Sequence, residues 1–404
     1  MVRTLAFVAL WLFIFVTALS GGWSVMFRLS YLLLLLFIAA WLWTWASARW
    51  IEIERVPRQP RAQVGGALEE EVIVRNESWL PKPWVDIHAA STLPEHRAQL
   101  FASLGPHGDQ SWTLSTVCHQ RGRYLLGPTT LNVGDPFGLF HRQRVFPAEN
   151  SVVVYPQIVP LPGFRAPDGD LPGGGQHRLR VPYTTAMATS IRDYQPGDPF
   201  NRIHWPNTAR LGRILVKEFE QDPVADVWIV LDLDRNVQVG SGPESTEEYA
   251  VTAAASLASH FLLENRAVGL VTQGQHILPD RGTRQLMRIL ELLAVVRVRE
   301  FLGVGELLTG MSTLFARGTS VIVITATARA EWVAALEDVA FRGLRSAVVL
   351  LEASTFGSAR PSLLAVGALA AASVPTYLLK HGEPLGEALA QPRTTVEAET
   401  QVAL

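Results

Sequence analysis

Two stretches of the 404-residue chain gather side chains able to do chemistry. The first, Asp232-Leu233-Asp234-Arg235-Asn236, directly follows the apolar run Val227–Leu231. Three oxygen-bearing side chains at alternate positions suit a hard cation such as Mg²⁺ or Ca²⁺. Ligands of open α/β sheets also bind at the carboxyl ends of the strands. A polar loop in which Asp232 caps the next element accounts for the same residues equally well. The second stretch runs from Arg192 through Asp193, Tyr194, Gly197, Asp198, Arg202, His204 and Trp205 to Arg210, and leads into Ile214–Glu220. Pro196-Gly197 makes a turn, Asp198 has the chemistry of an N-cap, and Pro199 suits a first helical position. A short helical turn then brings Arg202 toward Trp205, Pro206 is expected to stop it, and Ile214–Phe219 reads as a strand. These charges fit a structural knot, with Arg192 and Arg202 paired to Asp193, Asp198 or Glu220. They also fit a docking or catalytic surface of Arg202, His204 and Arg210. The knot is the simpler reading, because His204 has neither a nucleophile nor a second ligand within its motif.

The elements that must position these residues follow from composition and period. The chain is 48% hydrophobic and 18% charged, with mean hydropathy +0.18. Much of that apolar excess lies in the first 50 residues, which hold Arg3, Arg28 and Arg49 and no acid. The runs Leu5–Leu19 and Leu29–Ala48 are each close to the ~20 residues that cross a bilayer. They predict a transmembrane hairpin over residues 1–50. Trp23, Trp41, Trp43, Trp45 and Trp50 lie near its ends as interfacial anchors. Arg49, Arg55, Arg58 and Arg61 follow the second helix, against Arg28 alone in the connecting loop. The positive-inside rule therefore places both termini in the cytoplasm, as a multi-pass protein of the inner membrane. A cleaved signal peptide ending near Ala18-Leu19-Ser20 is the rival reading of the first helix.

Residues 51–156 alternate with a period near two and predict a small β-sandwich, with strands such as 71–75, 84–88 and 112–118 between turns. Residues 157–222 read as a proline- and glycine-rich linker carrying the signature stretch. Residues 223–390 alternate strand and helix: strands at 227–231, 267–272, 320–324, 346–351 and 376–379, and helices at 245–264, 282–296 and 331–341. That alternation predicts an open, doubly wound α/β domain, with 391–404 a polar tail. The expected fold class is therefore α/β plus β behind a helical hairpin.

The common enzyme signatures are missing from the sequence. It has no Gly-x-x-x-x-Gly-Lys-Ser/Thr loop, no His-Glu-x-x-His and no Gly-x-Ser-x-Gly, and no Gly-x-Gly-x-x-Gly follows the first α/β strand. One cysteine excludes a disulfide framework. A net charge of -2 gives no footprint of a general nucleic-acid binder.

Arg192-x-Tyr194-x-x-Gly197-Asp198-x-x-x-Arg202-Ile203-His204-Trp205, then Ala209-Arg210 and Val216-Lys217-Glu218-Phe219-Glu220, resembles the signature of the bacterial domain of unknown function 58 family. Arg121–Pro128 and Gly134–Phe140 are similar to further runs of that family, and the layout of the whole chain matches it. The resemblance implies a von Willebrand factor A-like end domain and an association with MoxR-type AAA+ ATPases. It also implies a metal-ion-dependent adhesion site, which opens with Asp-x-Ser-x-Ser and adds a Thr and an Asp from other loops. Here the opening aligns as Asp232, Asp234 and Asn236, so both serines are replaced. Ala326 stands where the distal acid is expected and cannot bind a metal, so the implied site is degenerate. Pro206 and Thr208 stand where the family signature has Lys and Ser.

The expected function is a membrane-anchored cytoplasmic adaptor that binds a protein, a MoxR-type AAA+ ATPase, through the signature and the α/β domain. The first alternative is a divalent-metal-dependent hydrolase or transferase using Asp232, Asp234 and His204. The second is an envelope protein whose β-sandwich meets glycan outside, which requires the opposite topology.

Overall fold

The computed structural model describes residues 2–147, 150–164, 190–195, 200, 203–218, 226–298, 303–316 and 318–392. They divide into two units, 1–157 with 290–296, and 158–289 with 297–404.

The first unit opens with α1 (Val2–Gly21) and α2 (Ser24–Ser47). Both helices are long and apolar enough to cross a membrane, and few of their residues are buried, which suggests membrane anchoring. Two contacts between them set the hairpin register. Phe7 stacks on Phe37 at 5.7 Å, and the Trp11 indole N–H donates to the Ser30 carbonyl at 3.1 Å.

Nine strands follow: β1 (Ile51–Pro57), β2 (Arg61–Gln63), β3 (Ala67–Asn76), β4 (Lys82–Ser91), β5 (Ala98–Leu104), β6 (Asp109–Val117), β7 (Gly122–Gly134), β8 (His141–Phe146) and β9 (Asn150–Tyr155). One sheet has the order β1-β3-β6, and the other β2-β9-β7-β4-β5 with β8 paired to β7. Alternation decides what faces inward. Val72 and Val74 of β3 share a core with Val85 and Ile87 of β4 and Leu131 and Val133 of β7.

That same alternation buries a charge. Glu70, fully buried on β3, accepts from both Nε and Nη2 of Arg55 on β1, the latter at 2.8 Å. His96 Nε2 lies 2.7 Å from Oε2, the oxygen that also accepts from Arg55 Nη2, and His96 Nδ1 lies 2.9 Å from Thr116 Oγ1. Arg55 Nη1 then donates to the Ala90 carbonyl of β4 at 2.6 Å, so the cluster ties one sheet to the other. Burial pushes the Glu70 carboxyl up, but hydrogen bonds from His96 and Arg55 and their charges outweigh it and hold it below its ordinary value.

The second unit contains β10 (Ser190–Asp193), α3 (Trp205–Leu211), β11 (Leu215–Glu218), β12 (Val227–Leu231), α4 (Thr246–Leu263), β13 (Val268–Thr272), β14 (Gln275–Asp280), α5 (Gly282–Val295), α6 (Val304–Met311) and β15 (Ser320–Thr325). Next come α7 (Val333–Phe341), β16 (Arg345–Leu351), α8 (Ala353–Phe356), α9 (Leu363–Ala371), β17 (Thr376–Leu379) and α10 (Leu385–Ala388). The end of α5 is grouped with the first unit. The main sheet has the order β14-β13-β12-β15-β16-β17. It is parallel except for β14, which runs antiparallel to β13. Every residue of β12, β13 and β15 is buried, which requires both faces of the sheet to be covered. Trp228, Val230, Val323 and Leu350 meet Leu308, Leu336 and Leu369 of α6, α7 and α9 on one face. The edges are β14, which contains Pro279, and β17, only four residues long.

Candidate functional site

Chain order places Asp232 at the switch point of the sheet. β12 is followed by β13 on one side, and the chain later returns to lay β15 on the other. The residue that follows β12 therefore opens into the crevice between strands that diverge in sequence, the usual ligand position in such sheets. Asp232 occupies it, fully buried.

Its carboxylate is surrounded by donors of this chain. Oδ1 accepts from the Asp234 backbone N–H at 3.0 Å and from Gln273 Nε2 at 2.8 Å. Oδ2 accepts from the hydroxyl of Thr325 at 2.7 Å and from that of Thr327 at 3.2 Å. The Leu233 N–H donates to Gln273 Oε1 at 2.8 Å, so the amide nitrogen of Gln273 is the end turned to Asp232. The Asp232 carbonyl is held as well, by Gln238 Nε2 at 2.9 Å. Burial pushes the Asp232 carboxyl above its ordinary value. The hydrogen bonds from Thr325, Asp234, Gln273 and Thr327 pull the other way and do not cancel it.

These residues do not fit a divalent cation. A cation needs converging lone pairs, and here both carboxylate oxygens already receive two donors each. Asp234 Oδ1 is likewise taken by Asn236, whose backbone N–H and Nδ2 lie at 3.1 and 2.9 Å. Asn236 thus acts as a donor rather than a ligand, and Asp234 shapes a local turn. Among the described residues no group of three or more His, Cys, Asp or Glu side chains could hold a metal ion. Adding Mg²⁺ or Ca²⁺ is therefore expected to leave the unfolding midpoint unmoved. A site with a dissociation constant of about 1 mM would gain ~1.4 kcal/mol at about 10 mM ion, a shift calorimetry reads easily.

The signature stretch is built differently from its sequence expectation. β10 and β11 form an antiparallel pair, Arg192 opposite Val216 and Asp193 opposite Leu215, and the Ile203–Val216 bridge lies beside it. His204 is the N-cap of α3. Its Nδ1 accepts from the Asn207 N–H at 3.2 Å, while its own N–H donates to the Leu215 carbonyl at 2.7 Å. Pro206 was expected to stop a helix and instead sits in the first turn of one. There its missing N–H would have had no helical partner anyway. Gly212, at φ 67°, ends α3 in the left-handed conformation. Arg210 lies in the last turn, where a cation favours the helix dipole. Tyr194 stacks near Phe200 at 6.3 Å, and Asp193 meets Arg213 at 3.2 Å. Gly197, Asp198, Arg202, Glu220 and the side chain of Arg192 lie outside the described residues, so their expected pairings lie there too.

No sequence motif points to Gln273, Thr325 or Thr327. What brings all three to Asp232 is the parallel register that pairs Leu231 with Thr272 and with Ile324.

Curated relatives match about two fifths of the chain. The uncharacterized protein YeaD of Bacillus subtilis is 25% identical over 185 residues, covering 43% of each chain. The uncharacterized protein Rv1480 of Mycobacterium tuberculosis is 27% identical over 188 residues, 44% of this chain and 59% of that one. The chain thus spans about half the length of the curated relatives it matches. Among solved structures, the CARDB domain of the PF1109 protein of Pyrococcus furiosus is 20% identical, covering 26% of this chain and 89% of that one, with a TM-score of 0.20. Residues 190–355, from the start of β10 through Asp232 and its partners to α8, match the family described as Protein of unknown function DUF58, and the chain carries that family's region.

Proposed function

We propose that the protein is a membrane-anchored scaffold whose signature segment and α/β unit bind a protein partner at the cytoplasmic face, the partner being a MoxR-type AAA+ ATPase. The observation that carries this reading is α3, which buries none of its residues. Trp205 is 64% exposed, and Leu211, Ile214 and Phe200 are exposed with it. Grouped exposed apolar side chains rimmed by polar residues mark contact surfaces. Tryptophan is also among the residues most often found at the energetic centre of one. The His204 cap and the β10–β11 pair hold this surface in place without using its outer side chains.

A von Willebrand factor A-like reading of residues 223–390 agrees with the strand order, the antiparallel edge strand and the position of Asp232 after the first strand. Domains of that kind bind other proteins at this end of the sheet. The basic residues that follow α2 support the cytoplasmic orientation. A divalent-metal-dependent hydrolase or transferase draws no support from Asp232, whose oxygens are already bonded.

The test uses full-length protein in detergent with a purified MoxR-type ATPase from the same organism. Wild type is expected to retain the ATPase on an affinity resin, and Trp205→Ala/Leu211→Ser to lose at least about 10-fold in affinity. Both substituted side chains are exposed, so unfolding midpoints should agree. Equal retention by both proteins, or none by wild type, overturns the proposal.

A further inference from the structure

We propose that one end of the β unit, the end bearing the β3–β4 and β7–β8 loops, is a membrane-contact surface that seats in the headgroup zone of the bilayer. This rests on the reading of α1 and α2 as membrane spans.

The helices fix the level of that zone. α1, with 20 residues, is about 30 Å long, the thickness of the hydrocarbon layer. Its first turn therefore marks one boundary. The loop between β7 and β8, residues 135–140, is bound at that boundary. Thr4 Oγ1 donates to the Leu139 carbonyl at 2.7 Å, and the Phe140 ring meets Phe37 edge-on at 5.0 Å. Asp135 shapes this loop by accepting from the Phe137 N–H at 2.9 Å and from the Phe140 N–H. The tip residue, Phe137, is left exposed.

The β3–β4 loop is carried to the same end. β4 pairs with β7 so that Val85 faces Val133, which puts Trp84 beside the start of the 135–140 loop. Lys82, buried on β4, donates to the Arg49 carbonyl where α2 leaves its last turn, and the Glu77 N–H donates to the Trp50 carbonyl at 2.9 Å. Around this exit Trp79 is 77% and Trp84 76% exposed, with Trp50 half exposed. Exposing such large indoles to water is costly, whereas the bilayer interface is where tryptophan is enriched. β8 adds Arg142 and Arg144, both exposed, beside this aromatic set. Each such cation near an anionic leaflet favours the same placement.

The test labels single introduced cysteines in the full-length protein with an environment-sensitive fluorophore, in vesicles of phosphatidylcholine and phosphatidylglycerol. Cys118 is buried, so protein without an added cysteine should take no label. Positions are Trp79→Cys and Phe137→Cys, with Phe13→Cys in α1 and Arg97→Cys, in the loop before β5, as references. Labels at 79 and 137 are expected to be quenched by lipid carrying a nitroxide high on its acyl chain. They should be several-fold less sensitive to aqueous iodide than the label at 97. The label at 13 is expected to respond to a deep nitroxide. If 79 and 137 respond to iodide like 97 while 13 still reports the deep nitroxide, the contact surface is overturned and the anchor stands. If 13 is also accessible to iodide, the anchor reading fails and takes this proposal with it.

Discussion

Asp232→Ala is expected to cost the α/β unit roughly 2–6 kcal/mol, about 1–3 kcal/mol for each donor that has nowhere else to turn. Two of its four donors are fixed. The Asp234 N–H belongs to the backbone, and Gln273 Nε2 is aimed by the bond between Leu233 N–H and Gln273 Oε1. The hydroxyls of Thr325 and Thr327 can rotate, so they should lose less. That asymmetry makes Asp232→Asn a sharper probe. Its Oδ1 can keep the two fixed donors while its Nδ2 donates to the threonines, at a cost nearer 1 kcal/mol. Urea unfolding in detergent measures both values. Hydrogen exchange should localise the loss to 226–234, 268–274 and 320–328. An alanine variant as stable as wild type would show that the cluster ties nothing together.

The same residue sets a pH slope. Its folded-state carboxyl is raised, so the native chain holds that proton more tightly than the unfolded chain. Its contribution is fullest below the ordinary carboxylate range and declines as pH rises toward the raised value. Asp232→Asn should flatten that part of the profile.

Glu70→Gln is expected to cost about 3–5 kcal/mol in the β unit, because it leaves the buried Arg55 guanidinium without its counter-charge. The neighbour Glu69 provides the control. Its pair with Arg58 is exposed at 3.0 Å, and Glu69→Gln should change stability by less than about 1 kcal/mol. The sign of the pH effect is opposite to that of Asp232. Glu70 is held below its ordinary value, so its contribution is complete above the unfolded-state value and is lost as pH falls through the lowered one. Acid unfolding of the β unit followed by tryptophan fluorescence should shift to higher pH when His96→Ala removes one of the two partners. An unchanged acid midpoint would mean the cluster does not carry the linkage.

What could be read from sequence divides along a physical line. The strands of the main sheet were legible because burial on both faces leaves unbroken apolar runs such as 227–231 and 320–325. β14 was not, because as an edge strand its residues are mostly exposed and carry no such run. The alternation Leu68, Glu70, Val72, Val74 already puts Glu70 on the inner side. Its partners lie 15 and 26 residues away in sequence and follow no local pattern. The Asp232 position was legible as a strand end, whereas its partners come from two other strand ends brought level by the sheet register. The sequence offers His204 as a chemical group, whereas in the structure it serves as a cap, because the proline behind it starts the helix instead of ending it.

The two edges of the main sheet bear on how this unit can associate at all. An unpaired strand edge is a template for another chain's backbone. Here one edge is interrupted by Pro279, which has no N–H to offer, and the other is the four-residue β17. The first edge is left with four residues before the proline and the second with four in all, so each offers only a short row of donors and acceptors. Both features disfavour stacking of copies through their main chains, and they shift recognition at this sheet toward side chains, which can be tuned one residue at a time.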